Sequence, residues 1–315
     1  MDVLLVGAGN MAKCYAEVLK DLNVKFEVIG RSENSANLFE AATGIPVIRG
    51  GIEQAFDRLT SIPDYAIVAT NVENLEVNSK YLIKKGIKNI LIEKPGAFTY
   101  KDISSLFILA QQMNSNVYIG YNRRFYSSIL EVQKRIEQEG GLTSFFFEFN
   151  EWAYRLNDGN RSIFKLNNWF IANSTHVVDT AFFLGGIPKE IKTITQSHID
   201  WHPRGSVFVG AGITKKEILF SYHANWNSPG SWNLELMTKS SRYLLRPFEK
   251  LKKQKIGNLN IEAVELDDSL DIRYKPGVFR QTEAFLYGGE FSENLLCINE
   301  ATELFLMYEK INGGL

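Results

Sequence analysis

Short, unbroken apolar runs recur through the first 120 positions, at residues 3–6, 26–29, 47–48, 66–69, 90–92 and 117–120. They are runs of mostly Val, Ile and Leu rather than polar–apolar alternations. That pattern belongs to strands buried on both faces, as in a parallel sheet. Amphipathic segments at 11–20, 73–84 and 101–112 lie between them. Thr99, followed three residues later by Asp102, resembles a capping signal for the last of these. Strand and helix alternating in this way predict a doubly wound α/β domain. A chain of 315 residues also needs a second core, because single cores stop growing near ~250–300 residues.

The pattern changes after about residue 125. Within 142–152, Phe145, Phe147 and Phe149 fall on one face, and Phe146, Glu148 and Asn150 on the other. This predicts a half-buried, antiparallel strand. Strand-like runs follow at 191–197, 206–213, 216–223 and 233–238. A helix is expected over 174–184, closed by Gly185-Gly186, and another over 292–311. The second half therefore reads as α+β with a mostly antiparallel sheet.

Composition narrows the function. With 35 basic and 36 acidic side chains and a formal charge of −1, the chain is not built to hold nucleic acid or an anionic membrane. Two cysteines and four histidines leave little material for ligation, and no metal is expected. The opening residues lack the basic region of a signal peptide, and no window approaches the ~20 apolar residues of a membrane span. A soluble, cytoplasmic protein is the expectation.

Gly7-Ala8-Gly9-Asn10-Met11-Ala12 lies between the first strand and the first helix. In this G-x-G-x-x-G/A form the first glycine allows the turn and the second admits a pyrophosphate. The small last residue lets helix and strand pack closely. Backbone N–H groups of the helix start, at Asn10 and Met11, would then hold the diphosphate. A purely structural turn and an S-adenosylmethionine site are the alternatives. The second strand ends in Gly30-Arg31-Ser32, where NAD enzymes usually carry Asp or Glu. Arg31 offers a cation for a 2′-phosphate and Ser32 a hydrogen bond, which favours NADP(H) over NAD(H). Otherwise Arg31 is an ordinary solvated side chain. Thr70 and Asn71, after the fourth strand, are further candidate cofactor contacts.

After the fifth strand comes Glu93-Lys94-Pro95-Gly96, and after the sixth Tyr121-Asn122-Arg123-Arg124-Phe125. Behind the glycine motif and in this order, these signatures resemble the Gfo/Idh/MocA family of sugar and cyclitol oxidoreductases, over essentially the whole chain. The resemblance implies an N-terminal Rossmann dinucleotide-binding domain, residues 1–121. A C-terminal α+β domain with a large, mostly antiparallel open sheet would follow, residues 122–315, serving substrate binding and oligomerisation. It implies that Lys94 is catalytic, that the bond before Pro95 is cis, and that Glu93, Lys94 and Asn122 lie at the cofactor. Independently, a lysine at the carboxyl end of a central parallel strand faces the crevice where such sheets bind ligands.

Relatives commonly show D-x-x-x-H-x-x-D on a helix lining the substrate pocket. Here His176 and Asp179 match, but Ala172 stands where the first Asp is expected. Proton transfer then falls to Lys94 and His176. Asn173 and Ser174 can hydrogen-bond there but cannot replace the missing charge. Substrate contacts are expected from Lys94, Arg124, Trp152, Arg155, Trp169, Asn173 and His176, with aromatic faces suited to sugar C–H surfaces.

The implied activity is NAD(P)-dependent hydride transfer at a hydroxyl or carbonyl carbon of a sugar, cyclitol or nucleotide-sugar derivative. The subunits would form a homodimer or homotetramer. The alternatives are a catalytically weak NAD(P)-binding sensor or assembly protein of the same fold and, behind it, a methyltransferase. Lys239, Arg242, Arg246, Lys250, Lys252, Lys253 and Lys255 form a basic cluster. It reads either as a solvated face or as a patch attracting a phosphorylated or nucleotide-linked sugar.

Overall fold

The computed structural model describes residues 2–59, 61–156, 159 and 161–314. The chain forms two compact units. The first combines Met1–Phe125 with Leu270–Thr302, and the second combines Tyr126–Ser269 with Glu303–Leu315. A contiguous cut at residue 121 therefore omits a late segment that returns to the first unit.

In the first unit, β1 (Asp2–Val6), β2 (Lys25–Gly30), β3 (Val47–Arg49), β4 (Tyr65–Val68), β5 (Asn89–Glu93) and β6 (Asn116–Gly120) form a parallel sheet. The strands predicted from unbroken apolar runs are all present. Val6 of β1 sits opposite both Ile29 of β2 and Val68 of β4. The strand order thus reverses at β1, which creates the switch-point crevice of a doubly wound fold. The helix Asn10–Asp21 buries Ala12, Tyr15, Ala16 and Leu19. Thr99 caps the helix Tyr100–Gln112, accepting from the Asp102 N–H at 3.2 Å.

The expected helix at 292–311 is instead three pieces: a 3-10 turn at Ser292–Asn294, a short strand, and a helix at Ile298–Ile311. Pairing at an open sheet edge overrides helix propensity, because Leu296 and Cys297 sit opposite Ile119 and Tyr118 of β6. The returning helix Val278–Tyr287 packs Phe285 edge-on against Tyr65 and Tyr118, at 5.5 and 6.1 Å between ring centroids.

The second unit contains β7 (Ser144–Phe149), β8 (Pro188–Gln196), β9 (Val207–Thr214), β10 (Leu219–Asn225), β11 (Trp232–Met237), β12 (Ser241–Leu245), β13 (Lys252–Lys255) and β14 (Glu262–Ala263). The first unit's edge strand, Leu296–Cys297, completes the set as β15. The order is β14-β13-β12-β11-β7-β10-β9-β8. β7 runs antiparallel to β11 but parallel to β10, so the expected antiparallel strand is antiparallel on one side only. The connection leaving β7 carries a helix, which allows a parallel return.

Phe145, Phe147 and Phe149 are buried, as their alternation predicts. The helix Thr175–Gly185 lies on them. Its Phe182 meets Phe145, Phe147 and Phe220 edge-on at 6.4, 5.6 and 5.3 Å. Gly185 is the close-approach point, since a Cβ there would stand 2.2 Å from the Phe145 ring.

The basic cluster lies along β12 and β13. Arg242 pairs with Glu235, Lys253 with Glu139 at 2.7 Å, and Arg246 and Lys250 with Glu148 and Asp268, each at 3.6 Å. Lysines on outer strands also discourage edge-to-edge association. Among the described residues no helix is long and apolar enough to cross a membrane. No group of three or more His, Cys, Asp or Glu among them is placed to hold a metal ion.

Candidate active site

The glycine turn follows β1 directly. Gly7 has φ +124°, and its N–H donates to Ile29 O at 2.8 Å. A Cβ there would lie 2.3 Å from the Ala69 carbonyl oxygen, so both conformation and space demand glycine. Gly9 is different. It caps the helix in an extended conformation, with φ −90° and ψ −170°. A Cβ there would meet nothing within 4 Å. The first turn of this helix carries no acidic residue, so the Asn10 and Met11 end keeps its positive character toward an anion. An open approach to an uncovered helix start fits a pyrophosphate.

At the end of β2, exposed Arg31 extends past Gly51. A Cβ on Gly51 would lie 3.5 Å from Arg31 Cγ. Ser32 caps the helix Glu33–Thr43, its Oγ accepting from the Ser35 N–H at 3.4 Å. Its hydroxyl therefore already serves the fold. Arg49 binds Glu33 and Glu40, each at 2.8 Å, and Asn37 at 2.7 Å. The Arg49 hydrogen bond holds the Glu40 carboxyl down at about 2. Glu33, the acid nearest to Arg31 in sequence, is thus engaged elsewhere. After β4, Thr70 Oγ1 accepts from Asn78 Nδ2 at 3.3 Å, and exposed Asn71 accepts the Asn74 N–H at 2.9 Å.

Lys94 stands half-buried immediately after β5, in a turn closed by Gly96 N–H donating to Glu93 O at 3.1 Å. The Lys94–Pro95 bond is cis. The Glu93 side chain points the other way, into the unit, and accepts from the Tyr15 hydroxyl at 2.7 Å. Burial pushes the Glu93 carboxyl up, opposed by the Tyr15 hydrogen bond and the charges of Lys94 and Lys275. Lys275 comes from the returning segment, as does Pro276, whose carbonyl accepts from Asn122 Nδ2 at 2.9 Å. No motif marked Lys275; only the return of residues 270–302 brings it near Glu93. Arg124 is buried and paired with Glu300 at 3.3 Å, so its charge serves the fold of this unit.

In the second unit, β7 runs out into Glu151, Trp152 and Arg155. Trp152 Nε1 donates to Gly230 O at 2.9 Å, and Arg155 stacks over the Trp152 ring at 4.7 Å. Trp152, Tyr154, Asp200, Trp201 and Trp226 help to line an open cleft of about 950 Å³. Trp169 is mostly buried, with Arg161 and Lys165 over its ring at 5.6 and 5.8 Å.

The chain then makes a π-helical turn, Phe170–Ser174, before the helix Thr175–Gly185. Ala172 lies inside that turn, 2% exposed. His176 and Asp179 are buried on the helix, and the His176 ring faces Trp232 at 6.2 Å. Glu151 was missed by sequence reasoning. Its carboxylate accepts from Asn173 Nδ2 at 3.0 and 3.1 Å and from Ser174 Oγ at 2.7 Å. Burial raises its carboxyl pKa, against the opposing hydrogen bonds. One signal was present: the alternation Phe145, Phe147, Phe149 carries on to position 151, on the same buried face.

A family model for oxidoreductases with an NAD-binding Rossmann fold, Gfo/Idh/MocA, matches residues 1–121. Those residues belong to the Gfo/Idh/MocA oxidoreductase family. No curated protein matches the sequence. Solved structures resemble the whole chain. An oxidoreductase from Agrobacterium radiobacter in complex with NAD+, L-tartaric acid and magnesium is 15% identical, with TM-score 0.79, covering 100% of this chain and 96% of its own. A UDP-N-acetylglucosamine 3-dehydrogenase from Acidithiobacillus ferrooxidans is 13% identical, with TM-score 0.75, covering 100% and 97%. A levoglucosan dehydrogenase bound to NADH and L-sorbose is 15% identical, with TM-score 0.79, covering 100% and 96%. At these identities the likeness establishes the fold.

The sequence-predicted residues divide by what surrounds them. Gly7, Gly9, Asn10 and Met11 gather at one helix start. The side chains of Ser32, Glu93 and Arg124 are engaged inside their unit. Asn173 and the His176 helix share a neighbourhood with Glu151.

Proposed function

We propose that this chain is an NADP(H)-preferring oxidoreductase acting on a hydroxyl or carbonyl carbon of a sugar, cyclitol or nucleotide-linked sugar. The observation that carries the proposal is half-buried Lys94 at the carboxyl end of an interior parallel strand, in the same sheet whose first strand leads into the glycine turn. The backbone N–H groups at Asn10 and Met11 hold the pyrophosphate, and Arg31 takes a 2′-phosphate. When bound, the cofactor supplies hydride transfer. Lys94 donates a hydrogen bond to the reacting oxygen and stabilises its developing negative charge. His176 gives or takes the proton of that oxygen. The fold shared with a UDP-N-acetylglucosamine dehydrogenase and a levoglucosan dehydrogenase supports a sugar-type substrate. Self-association would use the open face of the second sheet, where Ile194 and Leu219 are 63% and 61% exposed. The cytoplasm, where the reduced cofactor is available, is the proposed location.

The test is a fluorescence titration with NADPH and NADH, followed by turnover assays across a sugar panel. Lys94→Ala is expected to lower turnover by about 10²–10³-fold while leaving cofactor affinity nearly unchanged. Full activity in that variant would remove Lys94 from the chemistry. A second reading, a cofactor-binding sensor, is favoured by Ala172 at the position of the family carboxylate. It predicts tight cofactor binding with no turnover on any sugar.

A further inference from the structure

We propose that Glu151 is a positioning residue that fixes Asn173 as a hydrogen-bond acceptor and thereby selects a neutral, hydroxyl-bearing substrate. This rests on the proposed function, in which His176 exchanges a proton with the substrate, and it names the substrate class for the turn that precedes His176.

Glu151 is 7% exposed and continues the buried face of Phe145, Phe147 and Phe149. Its neighbour two residues back, Phe149, meets Phe170 edge-on at 5.4 Å. Glu151 itself holds Asn173 and Ser174. The π-helical turn Phe170–Ser174 is therefore pinned at both ends to the end of β7, by an apolar contact and by a carboxylate. Turns of this kind are rare and tend to occur at functional sites. His176 follows two residues after Ser174, so the same anchor sets where its helix begins.

The donors decide how the amide of Asn173 is turned. Its Nδ2 lies 3.0 and 3.1 Å from the two Glu151 oxygens, and Ser174 Oγ donates to one of them at 2.7 Å. The amide N–H₂ is thus committed to the carboxylate, and Oδ1 is the group that half-buried Asn173 can offer to a ligand. An acceptor backed by a buried acid welcomes a hydroxyl donor. It repels a second carboxylate, which brings only lone pairs and like charge. The sequence places an alanine at residue 172, but the fold delivers a carboxylate to the same turn from a different element.

The experiment uses the full chain as wild type, Glu151→Gln and Asn173→Ala. Each is assayed with both cofactors on glucose, galactose and UDP-glucose and on the matching uronic acids. The wild type should prefer the neutral member of a pair by at least about tenfold in kcat/KM, as expected for a hydrogen bond to a charged-group network. Glu151→Gln frees the Asn173 amide to turn, so the ratio should collapse toward one with cofactor Kd unchanged. If that variant fails to fold, Asn173→Ala should show the same collapse. An unchanged ratio in a folded variant, or a wild-type preference for the uronic acids, overturns the proposal. If the wild type turns over no sugar, the functional reading fails, and the positioning role is decided by NMR of selectively ¹⁵N-labelled asparagine. Slow exchange of the Asn173 side-chain protons, lost in Glu151→Gln, supports it; exchange at the solvent rate in the wild type overturns it.

Discussion

The glycine turn of the first unit and the π-helical turn of the second both open a helix that carries candidate site residues, but their shapes are enforced differently. The first is enforced by the backbone of its own residues. Gly7 adopts a conformation that other residues rarely reach, under a carbonyl that leaves no room for a side chain. The second has no such local demand. Ala172 and Asn173 make a turn because Phe149 and Glu151, some twenty residues earlier in the chain, hold it in place. A turn set by local conformation can be read from a string of letters, whereas a turn set by a distant carboxylate cannot.

The comparison can be broken first at Gly7. Gly7→Ala combines a disallowed φ with a Cβ 2.3 Å from the Ala69 oxygen. It should destabilise the protein by about 3 kcal/mol or more, read as a shift in the urea midpoint, and abolish dinucleotide binding. Stability equal to wild type would mean that the turn relaxes freely. Next, Arg31→Ala should weaken NADPH by about tenfold, equivalent to about 1.4 kcal/mol, and leave NADH nearly unaffected. Equal losses in paired titrations would remove the phosphate contact.

The second unit offers its own test of long-range anchoring at Glu139. Burial raises its carboxyl, but hydrogen bonds from Lys253, Thr238, Tyr243 and Ser241 outweigh this and hold it at about 2. The folded value lies below the ordinary value near ~4.3. The stabilisation is therefore present above about pH 4–5 and is lost as pH falls toward 2. Glu139→Gln should cost about 1 kcal/mol at pH 7, and its thermal midpoint should merge with that of the wild type near the acid end. A gap that persists at low pH would show a packing role instead. The smallest effect on stability is expected at Gly9. Gly9→Ala enters open space with an ordinary extended backbone, so stability should change by less than about 1 kcal/mol while dinucleotide affinity falls. Unchanged affinity would mean that no ligand approaches that position.

Much of the first unit was legible because each of its signals is local. Unbroken apolar runs marked β1 to β6, and Thr99 with Asp102 marked a cap. The failures came where distant residues decide. Residues 292–311 carry a helical pattern, yet Leu296 and Cys297 pair with β6 because an open edge was waiting there. The cluster from Lys239 to Lys255 looked like one basic patch, yet four of its members pair with Glu235, Glu148, Asp268 and Glu139. Three of those partners lie outside the cluster's own stretch by ten residues or more.

The sequence by itself determined the doubly wound sheet, the glycine turn and the place of Lys94 at the end of β5. Local conformation and apolar periodicity require nothing beyond neighbouring residues. Only the tertiary structure decided that residues 270–302 return to the first unit with Lys275. It alone also decided that a carboxylate, Glu151, comes to the turn holding Ala172. The first depends on apolar packing between distant segments, as of Phe285 on Tyr65 and Tyr118, and the second on a buried carboxylate finding its partners. Burial makes that choice costly to get wrong, but periodicity does not encode it.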